Sequence, residues 1–296
     1  FKDFKNKKLQ PVPIKLFPIE RTKYAFRFMQ QAKHIGKLVV THSKDNIRNK
    51  IKPYETYLIT GGVNGLGLLS AQWLSDHGAN KIVLISRSKP KSDAISVIEK
   101  MQKQNIEIIT VKCDVTDLKA MSEVIKNISK NTTLKGVIHA AGVLDDGVLS
   151  SQNENKFSNV MAPKVLGSWN LHLLTKGLDL DFFILYSSAA SLLGSPGQAN
   201  HSSANAFLDS LAHYRDSLNL PATSINWGAW SEVGSAAFRE SDKKSVNIKG
   251  IDFITPKDGL KALEIIVKDK YKQVGVIPID WKTFNTGDSN PYYKKL

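Results

Sequence analysis

The amino-acid sequence predicts an α/β fold in which helices cover a parallel sheet. Short, almost wholly apolar runs alternate with helix-length segments, and this alternation is typical of βαβ units. Runs of that kind are expected where both faces of a parallel sheet are buried. The predicted strands are 56–60, 81–86, 107–112, 135–139, 181–187, 222–227 and 273–279. The predicted helices are about 66–77, 91–104, 117–129, 151–176, 198–218 and 257–268.

Length and composition limit the classes of protein to which the chain can belong. Its 296 residues, 42% of them hydrophobic, are enough for one large core with some chain left over. The single cysteine, Cys113, excludes a disulfide scaffold and a thiolate metal cluster, and it suits a reducing cytosol. No stretch of about 18 apolar residues is present, so we expect no membrane span. The first residues include no signal peptide and no initiator Met, so we expect a piece of a longer protein.

The formal net charge of +14 suggests nucleic-acid binding as one possible function. Residues 1–50, however, hold 13 Lys and Arg against 3 Asp and Glu, so +10 of the excess lies in this segment. The other 246 residues share only +4. A basic face turned to solvent or to a neighbouring domain accounts for this distribution better, and we predict neither nucleic-acid nor membrane binding.

Composition also predicts how the chain is divided. The stretch 43–53 is polar and basic and ends at Pro53, as a linker would. The predicted parts are a segment at 1–42, this linker at 43–53, the main domain at 54–283 and a C-terminal linker at 284–296. Residues 228–258 interrupt the alternation with polar and small residues, and we expect a mobile segment over the functional site there.

The first strand of the main domain runs into a glycine-rich loop that opens the next helix. The loop comprises Thr60, Gly61, Gly62, Val63, Asn64, Gly65, Leu66 and Gly67. Glycines allow the backbone to approach a pyrophosphate closely, and the helix offers free N–H groups and the positive end of its dipole. A plain tight turn is the alternative, but the position between strand and helix favours a dinucleotide site.

The ends of the following strands supply further candidates for cofactor binding. Ser86, Arg87 and Ser88 lie where an acidic residue would bind the ribose 2′-hydroxyl of NAD. Arginine there suits a 2′-phosphate, which predicts NADP(H), unless Arg87 is only a solvated cation. Asp114 and Val115 could contact the adenine, although an aspartate at a strand end also caps helices. The small residues that end the fourth strand, and that would let the cofactor pack closely, are Ala140, Ala141 and Gly142.

Seven ordered motifs give the chain a specific resemblance. They are TGGVNGLG, SRS, CDV, HAAGVLDDG, MAPKVLGSWNLH, SSAASLLGSPGQANHSSANAFLDSLA and INWGAW. Over about residues 54–283 the chain resembles the ketoreductase domain of modular polyketide synthases, in the short-chain dehydrogenase/reductase family. The resemblance implies a Rossmann-like, doubly wound parallel sheet and NADPH-dependent reduction of a β-keto group. Its implied partners are an acyl carrier protein, whose phosphopantetheine arm bears the polyketide or fatty-acyl chain, and neighbouring enoylreductase, dehydratase and ketosynthase domains.

The same resemblance implies four catalytic positions. Lys164 matches the lysine that holds the nicotinamide ribose and a proton relay, and Ser188 matches the serine that hydrogen-bonds the substrate carbonyl. Asn205 matches the asparagine that completes the relay. The spacings of 24 residues from Lys164 to Ser188 and 17 from Ser188 to Asn205 agree with the family. No metal ligands are implied.

One catalytic position departs from the family pattern. The tyrosine expected 13 residues after Ser188 is His201, and Tyr214 lies too far along the helix to replace it. Three hypotheses follow. His201 could act as the acid or as a neutral electrophile, because imidazole N–H groups donate hydrogen bonds. The domain could instead reduce slowly through cofactor binding and Ser188 alone, or it could be an inactive structural domain.

A further set of residues concerns the substrate. Leu144, Asp145 and Asp146 resemble the Leu-Asp-Asp motif of B-type ketoreductases, which produce the D-configured alcohol; a merely acidic loop is the alternative. Ser203, which is not proline, fits the subtype that acts on chains without an inverted α-substituent. Trp230 and residues 231–250 are expected to form a lid over the phosphopantetheine arm.

Within the first 42 residues, the segments PVPIKLFPI at 11–19 and AFRFMQQAKHIGKLVV at 25–40 resemble the C-terminal end of an enoylreductase domain. Their pattern predicts a strand, an amphipathic helix at about 22–32 and a strand at 36–41. The glycine-rich loop of an enoylreductase is absent, so this segment would not reduce enoyl groups by itself.

A free-standing oxidoreductase acting on sugars or steroids is a rival hypothesis, against which the enoylreductase-like first segment and INWGAW both argue. We expect a cytoplasmic location.

Overall fold

The computed structural model describes residues 13–18, 22–32, 34–41, 51–234, 250–269 and 271–284. The chain forms two compact units, Phe1–Asn46 and Ile47–Leu296. In the smaller unit, strand β1 (Ile14–Pro18), helix α1 (Thr22–Gln30) and strand β2 (Lys37–Thr41) form one βαβ unit whose strands pair in parallel. The predicted helix and second strand are confirmed within two residues.

The larger unit contains a seven-stranded parallel sheet with helices between its strands. Its strands are β3 (Thr56–Thr60), β4 (Lys81–Ser86), β5 (Glu107–Lys112), β6 (Leu134–His139), β7 (Phe182–Ser188), β8 (Thr223–Trp227) and β9 (Gln273–Val276). Its helices are α2 (Gly65–Asp76), α3 (Ser92–Gln102), α4 (Leu118–Asn131), α5 (Glu154–Thr175), α6 (Ala190–Leu193), α7 (Ala199–Ser217) and α8 (Pro256–Asp269). A 3₁₀ turn lies at Leu149–Ser151. No described helix is both long enough and apolar enough to cross a membrane.

The strand order β5-β4-β3-β6-β7-β8-β9 makes the sheet doubly wound, and every neighbouring pair is parallel. The chain moves outward from β3 through β4 to β5, then crosses back to β6 and moves outward in the opposite direction. The reversal point therefore lies between β3 and β6. The predicted Rossmann-like fold is confirmed.

Both faces of the sheet are buried because successive strand residues point to opposite sides. On β3, Tyr57 and Ile59 belong to one apolar cluster, whereas Leu58 belongs to the other. On β4, Leu84 and Ile85 divide in the same way. This double burial explains why the strands are continuous apolar runs in the sequence.

The structure adjusts the ends of the predicted main domain. Ile51, which falls in the predicted linker 43–53, is only 1% exposed and packs in the core, while 42–50 lie outside the described residues. Phe284, at the start of the predicted C-terminal linker 284–296, is also buried, against Gly250. Burial of these two side chains removes apolar surface from water, so the domain extends to include them.

Candidate active site

The glycine-rich loop lies at the reversal point of the sheet, where doubly wound folds bind ligands. Gly61 adopts a φ of +68°, and a Cβ there would lie 2.9 Å from backbone atoms of Ala140 and Ala141. A Cβ on Gly67 would lie 2.2 Å from the carbonyl oxygen of Gly61. The loop thus folds tightly on itself and against the chain after β6, which only glycine permits.

The same loop leaves the start of α2 open. Asn64 occupies the N-cap position, but its side chain makes no capping hydrogen bond. The first N–H groups of α2 therefore remain available to an anion, next to Gly65 and Leu66. Gly62 packs beneath the loop, where a Cβ would lie 2.9 Å from the Leu84 side chain, so it shapes the cradle from below.

Thr60 differs from the rest of the predicted cradle. It is completely buried, and its Oγ1 lies 2.6 Å from Nδ1 of His139. The other ring nitrogen of His139 lies 3.0 Å from the carbonyl oxygen of Pro163, so Nε2–H donates and Nδ1 accepts the threonine proton. The Thr60 hydroxyl therefore links β3 to β6 and α5. Only the backbone of Thr60 is left to contribute to the cradle.

The strand-end candidates lie beside this cradle. Arg87 and Ser88 are exposed, and the Ser86 hydroxyl accepts the Ser88 N–H at 3.3 Å. The Asp114 carboxylate accepts the N–H and hydroxyl of Thr116, at 2.9 and 2.8 Å, as in an Asx turn. Val115 is buried with its carbonyl held by Asn170. The structure thus brings the ends of β4 and β5 to the edge that carries the glycine loop.

Lys164 is buried on α5, 7% exposed, and faces this edge from the other side. Its ammonium donates a hydrogen bond of 2.6 Å to the carbonyl oxygen of Tyr186. A Cβ on Gly142 would lie 3.0 Å from Lys164 Cε, so the small residue admits the lysine. Burial lowers the pKa of Lys164 to about 8, and the negative charge of Asp209 opposes that effect.

His201 and Asn205 lie one turn apart on α7. The Asn205 amide donates to the His201 carbonyl oxygen at 2.8 Å, and its own Oδ1 is buried with no hydrogen-bond partner among the described residues. His201 Nδ1 is buried and equally unpartnered in that part of the chain. Burial, and then the charge of Lys164, lowers the pKa of His201 to about 4, so the imidazole is neutral at pH 7.

Ser188 ends β7, where its hydroxyl accepts the N–H of Ala190 at 3.2 Å. The serine oxygen is thereby oriented by the first turn of α6, and its proton remains free to be donated. The structure therefore gathers all four predicted catalytic residues on the same edge: Ser188 from β7, Lys164 from α5, and His201 and Asn205 from α7.

The acidic loop after β6 packs against the start of α7. The Asp146 carboxylate accepts hydrogen bonds of 3.1 and 3.3 Å from the Gln198 amide. The Asp145 carbonyl accepts one of 2.7 Å from Asn200, and Asn200 Oδ1 accepts the His201 N–H at 2.8 Å. The Leu144 side chain is half-buried beside them. This loop is thus attached directly to the residues that precede His201.

The expectation that Trp230 belongs to a lid is wrong for its side chain. The indole is 4% exposed and packs in the core against Trp227 and the backbone of Gly259, where a Cβ would lie 2.0 Å from its ring. Trp230 also bridges to Ile254. The apolar ring is more stable under α8 than over a polar site. Residues 235–249 of the expected lid lie outside the described residues.

Sequence reasoning overlooked a buried polar cluster behind Ser188. It consists of Asp209 with Ser187, Ser191, Ser224 and Asn226. A usable signal was present, because Asp209 follows Asn205 by four residues and His201 by eight and therefore lies on the same face of α7.

Comparisons with known proteins agree with this geometry. A family model described as the KR domain matches residues 55–232. Polyketide synthase GfsB of Streptomyces halstedii is 41% identical over 228 residues, which are 76% of this chain and 4% of that protein. Spectinabilin polyketide synthase system protein NorB of Streptomyces orinoci is 36% identical over 262 residues, 87% of this chain and 12% of that protein. The chain thus spans only a small part of these relatives.

Solved structures show the same fold. An A1-type ketoreductase matches with a TM-score of 0.74 and 32% identity, over 79% of this chain and 50% of that one. A ketoreductase domain from the bacillaene assembly line matches with a TM-score of 0.73 and 27% identity, over 96% of this chain and 73% of that one. The match of the family model to more than half of the chain decides the assignment. The chain belongs to the KR domain family, the ketoreductases of polyketide synthases.

Proposed function

We propose that the chain reduces the β-keto group of a thioester carried by an acyl carrier protein, with NADPH as the reductant. The observation that carries the proposal is the convergence of Ser188, Lys164, His201 and Asn205 on the sheet edge that bears the glycine cradle. Two buried atoms there, His201 Nδ1 and Asn205 Oδ1, have no partner among the described residues. Orphaned polar atoms at one edge support a site that a ligand or ordered water completes.

The residues present fit a dinucleotide. The close packing at Gly61 and Gly67 and the uncapped start of α2 suit a pyrophosphate. The exposed Arg87 guanidinium suits a 2′-phosphate, for which its fork of donors is well matched. A bound NADPH would supply the hydride for the reduction.

The role of His201 follows from its charge. With a pKa of about 4, about one imidazole in a thousand is protonated at pH 7. We therefore assign to His201 the role of a neutral electrophile, whose N–H donates a hydrogen bond to the substrate oxygen while negative charge develops there. Ser188 would donate a second hydrogen bond to the same oxygen.

Lys164 is the group suited to replenish the proton that Ser188 would give to the alkoxide. Its pKa of about 8 leaves the ammonium mostly charged at pH 7 but able to release a proton near that pH. The Asn205 Oδ1 atom, buried and unpartnered in the described structure, would accept from a water that joins Lys164 to solvent. The Ser188 hydroxyl would give its proton to the alkoxide left by hydride addition and would be reprotonated from Lys164, whose own proton returns from solvent through that water, so that no imidazolium forms.

The D configuration of the alcohol is the finer part of the proposal. It is supported by the loop Leu144, Asp145 and Asp146, which is hydrogen-bonded to Gln198 and Asn200 immediately before His201. A loop held there would restrict the side from which a carrier-bound chain enters. One structural relative, 32% identical, is described as an A1-type ketoreductase, and that type is a property of the relative.

The proposal includes a synthase context. Both relatives are far longer than the region they share with this chain, which supports neighbouring domains and a carrier protein as partners. The free, buried Cys113 suits a cytoplasmic location. In the same context, residues 1–42 would be the end of an enoylreductase domain, which is the first assignment to test. Joint expression with the preceding region, followed by an enoyl reduction assay, would test the first assignment.

The decisive experiment follows NADPH absorbance with a short β-ketoacyl thioester and determines product configuration by chiral chromatography. We expect turnover by the wild type, D product, and a loss of about 10²-fold or more in Ser188→Ala. Ser210→Ala is the matched control, because this exposed hydroxyl, further along α7, donates to the Ala206 carbonyl of its own helix. A silent wild type with an active His201→Tyr would mean that the domain is structural. L product would overturn the stereochemical assignment alone.

A further inference from the structure

The carboxylate of Asp209 is buried without a cation at ion-pair distance among the described residues. The residue is 8% exposed. The Ser191 and Ser224 hydroxyls donate to it at 2.7 and 2.6 Å, and the Asn226 amide nitrogen, which also donates to it, lies 3.0 and 2.9 Å from its two oxygens. A buried charge held only by neutral donors is costly, so a role beyond packing is indicated.

Two of those donors hold the catalytic serine. The single proton of the Ser191 hydroxyl is shared between the Asp209 carboxylate and the Ser188 carbonyl oxygen, which lies 2.8 Å away, and the Asn226 amide nitrogen lies 3.3 Å from the same carbonyl oxygen. Asp209 therefore fixes the peptide group of Ser188 indirectly, through Ser191 and Asn226. Loss of the carboxylate would release this peptide and the serine hydroxyl with it.

A second branch reaches the helix that bears His201. One N–H of the Asn226 amide is directed to Asp209 and the other is available to the Ser187 hydroxyl, 3.1 Å away, and that hydroxyl donates to the Asn205 carbonyl oxygen at 3.2 Å. Asn205 in turn donates to the His201 carbonyl. The cluster thus sets the position of α7 relative to the end of β7.

The third link is electrostatic and runs to Lys164. The Lys164 ammonium is hydrogen-bonded to the Tyr186 carbonyl oxygen on β7, and it interacts electrostatically with the imidazoles of His139 on β6 and His201 on α7 and with the Asp209 carboxylate on α7. Both imidazoles are neutral at pH 7, because burial and the lysine charge lower the pKa of each. Burial lowers the pKa of Lys164, and the negative charge of Asp209 opposes that effect and favours the charged ammonium.

We propose that Asp209 is a positioning residue of the site: its carboxylate is the counter-charge of the Lys164 ammonium and the fixed point that holds Ser188 and α7. The proposal rests on the proposed ketoreduction only for its kinetic consequence, since the charge of Lys164 can be measured without substrate. The two parts are tested separately.

The first test measures the titration of Lys164 by NMR in the whole chain labelled with [¹³C]ε-lysine, assigned with Lys164→Arg. Asp209→Asn removes the charge with little change of shape, and we expect the lysine titration to move down by about one pH unit or more. Asp216→Asn is the control, because this partly exposed carboxylate on the same helix pairs with Lys272 and should leave Lys164 unchanged. An unchanged Lys164 titration in a folded Asp209→Asn would overturn the proposal.

The second test needs no change of charge. Ser191→Ala removes the hydroxyl between Asp209 and Ser188, and we expect kcat to fall about tenfold with an unchanged NADPH dissociation constant and an unchanged Lys164 titration. An unaltered kcat would overturn the positioning part. If Asp209→Asn does not fold, the wild type still decides the electrostatic part, because a Lys164 that titrates well below pH 7 would contradict it. A chain that never turns over would refute only the proposed ketoreduction.

Discussion

The neutrality of His201 makes the stability of the fold depend on pH. An unfolded histidine has a pKa of about 6.5, whereas the folded values are lowered to about 4 for His201 and about 3 for His139, in both cases first by burial and then by Lys164. Since the folded pKa is the lower one, the unfolded chain binds more protons as the pH falls. The stabilisation is therefore complete above pH 6.5 and is lost as the pH falls toward the folded values.

The size of the effect follows from those values. Each histidine that stays neutral costs about 1.4 kcal/mol of unfolding free energy per pH unit below 6.5. Between pH 6.5 and pH 5 this amounts to about 2 kcal/mol for His201 and the same for His139, or about 4 kcal/mol together. The pKa of His172 is lowered as well, by burial and by Arg215, and adds in the same direction. A loss of this size is a large fraction of the stability of a typical domain.

The assay is urea denaturation at a series of pH values from 7.5 to 5, with wild type and His201→Gln compared. We expect the variant to lose about 2 kcal/mol less than the wild type between pH 6.5 and pH 5, because one proton is no longer taken up on unfolding. Ser210→Ala, at an exposed position on the same helix, changes no titratable group and should keep the wild-type slope. Equal slopes for wild type and His201→Gln would refute the argument that the folded imidazole is neutral.

Three further changes test other parts of the structure. Arg87→Asp should weaken NADPH binding by about tenfold or more, measured by fluorescence titration against NADH, whereas Lys89→Asp nearby should not alter the preference. Gly67→Ala should weaken NADPH binding at least about tenfold, because the added Cβ would lie 2.2 Å from the carbonyl oxygen of Gly61. Gly177→Ala is the control and should bind NADPH normally, because its Cβ would meet nothing within 4 Å. Arg215→Ala should lower the unfolding free energy by about 3 kcal/mol or more, since its buried guanidinium donates to a backbone oxygen and stacks 3.8 Å above an aromatic ring; a loss under about 1 kcal/mol would contradict this.

The sheet was predictable because its signal is local. Strands buried on both faces appear as short apolar runs, and β3, β4 and β5 begin and end at the predicted residues. The last strand shows the limit of that signal: the apolar pattern predicts that it reaches residue 279, but it ends at Val276. Pro278 follows, and proline cannot donate to a ladder. The ends of elements depend on pairing with neighbours, which the apolar pattern does not contain.

The polar interior was not predictable in the same way. Asp209 meets Ser191, Ser224 and Asn226 only because α7 packs against the ends of β7 and β8. These residues lie far apart in the sequence, and none is an unusual residue type at its position, so the sequence does not indicate that they are in contact. The position of Trp230 escapes prediction for the related reason that its partner Gly259, a residue without a side chain, gives no apolar signal.

Histidine at position 201 is compatible with the site because of how charge is distributed around Lys164. Two buried cations at close range would repel, so only one of Lys164 and His201 can be charged at neutral pH. Asp209 raises the pKa of Lys164, whereas burial and the lysine charge both lower the pKa of His201. The proton therefore stays on the lysine, and the imidazole keeps the single N–H that a donor needs.

The same lysine would have the opposite use for a tyrosine at position 201, because a nearby cation lowers the pKa of a phenol and makes it a better acid. A positive charge on Lys164 therefore suits either residue at position 201, because it keeps an imidazole neutral and makes a phenol more acidic. The buried carboxylate of Asp209 favours that charge in both cases.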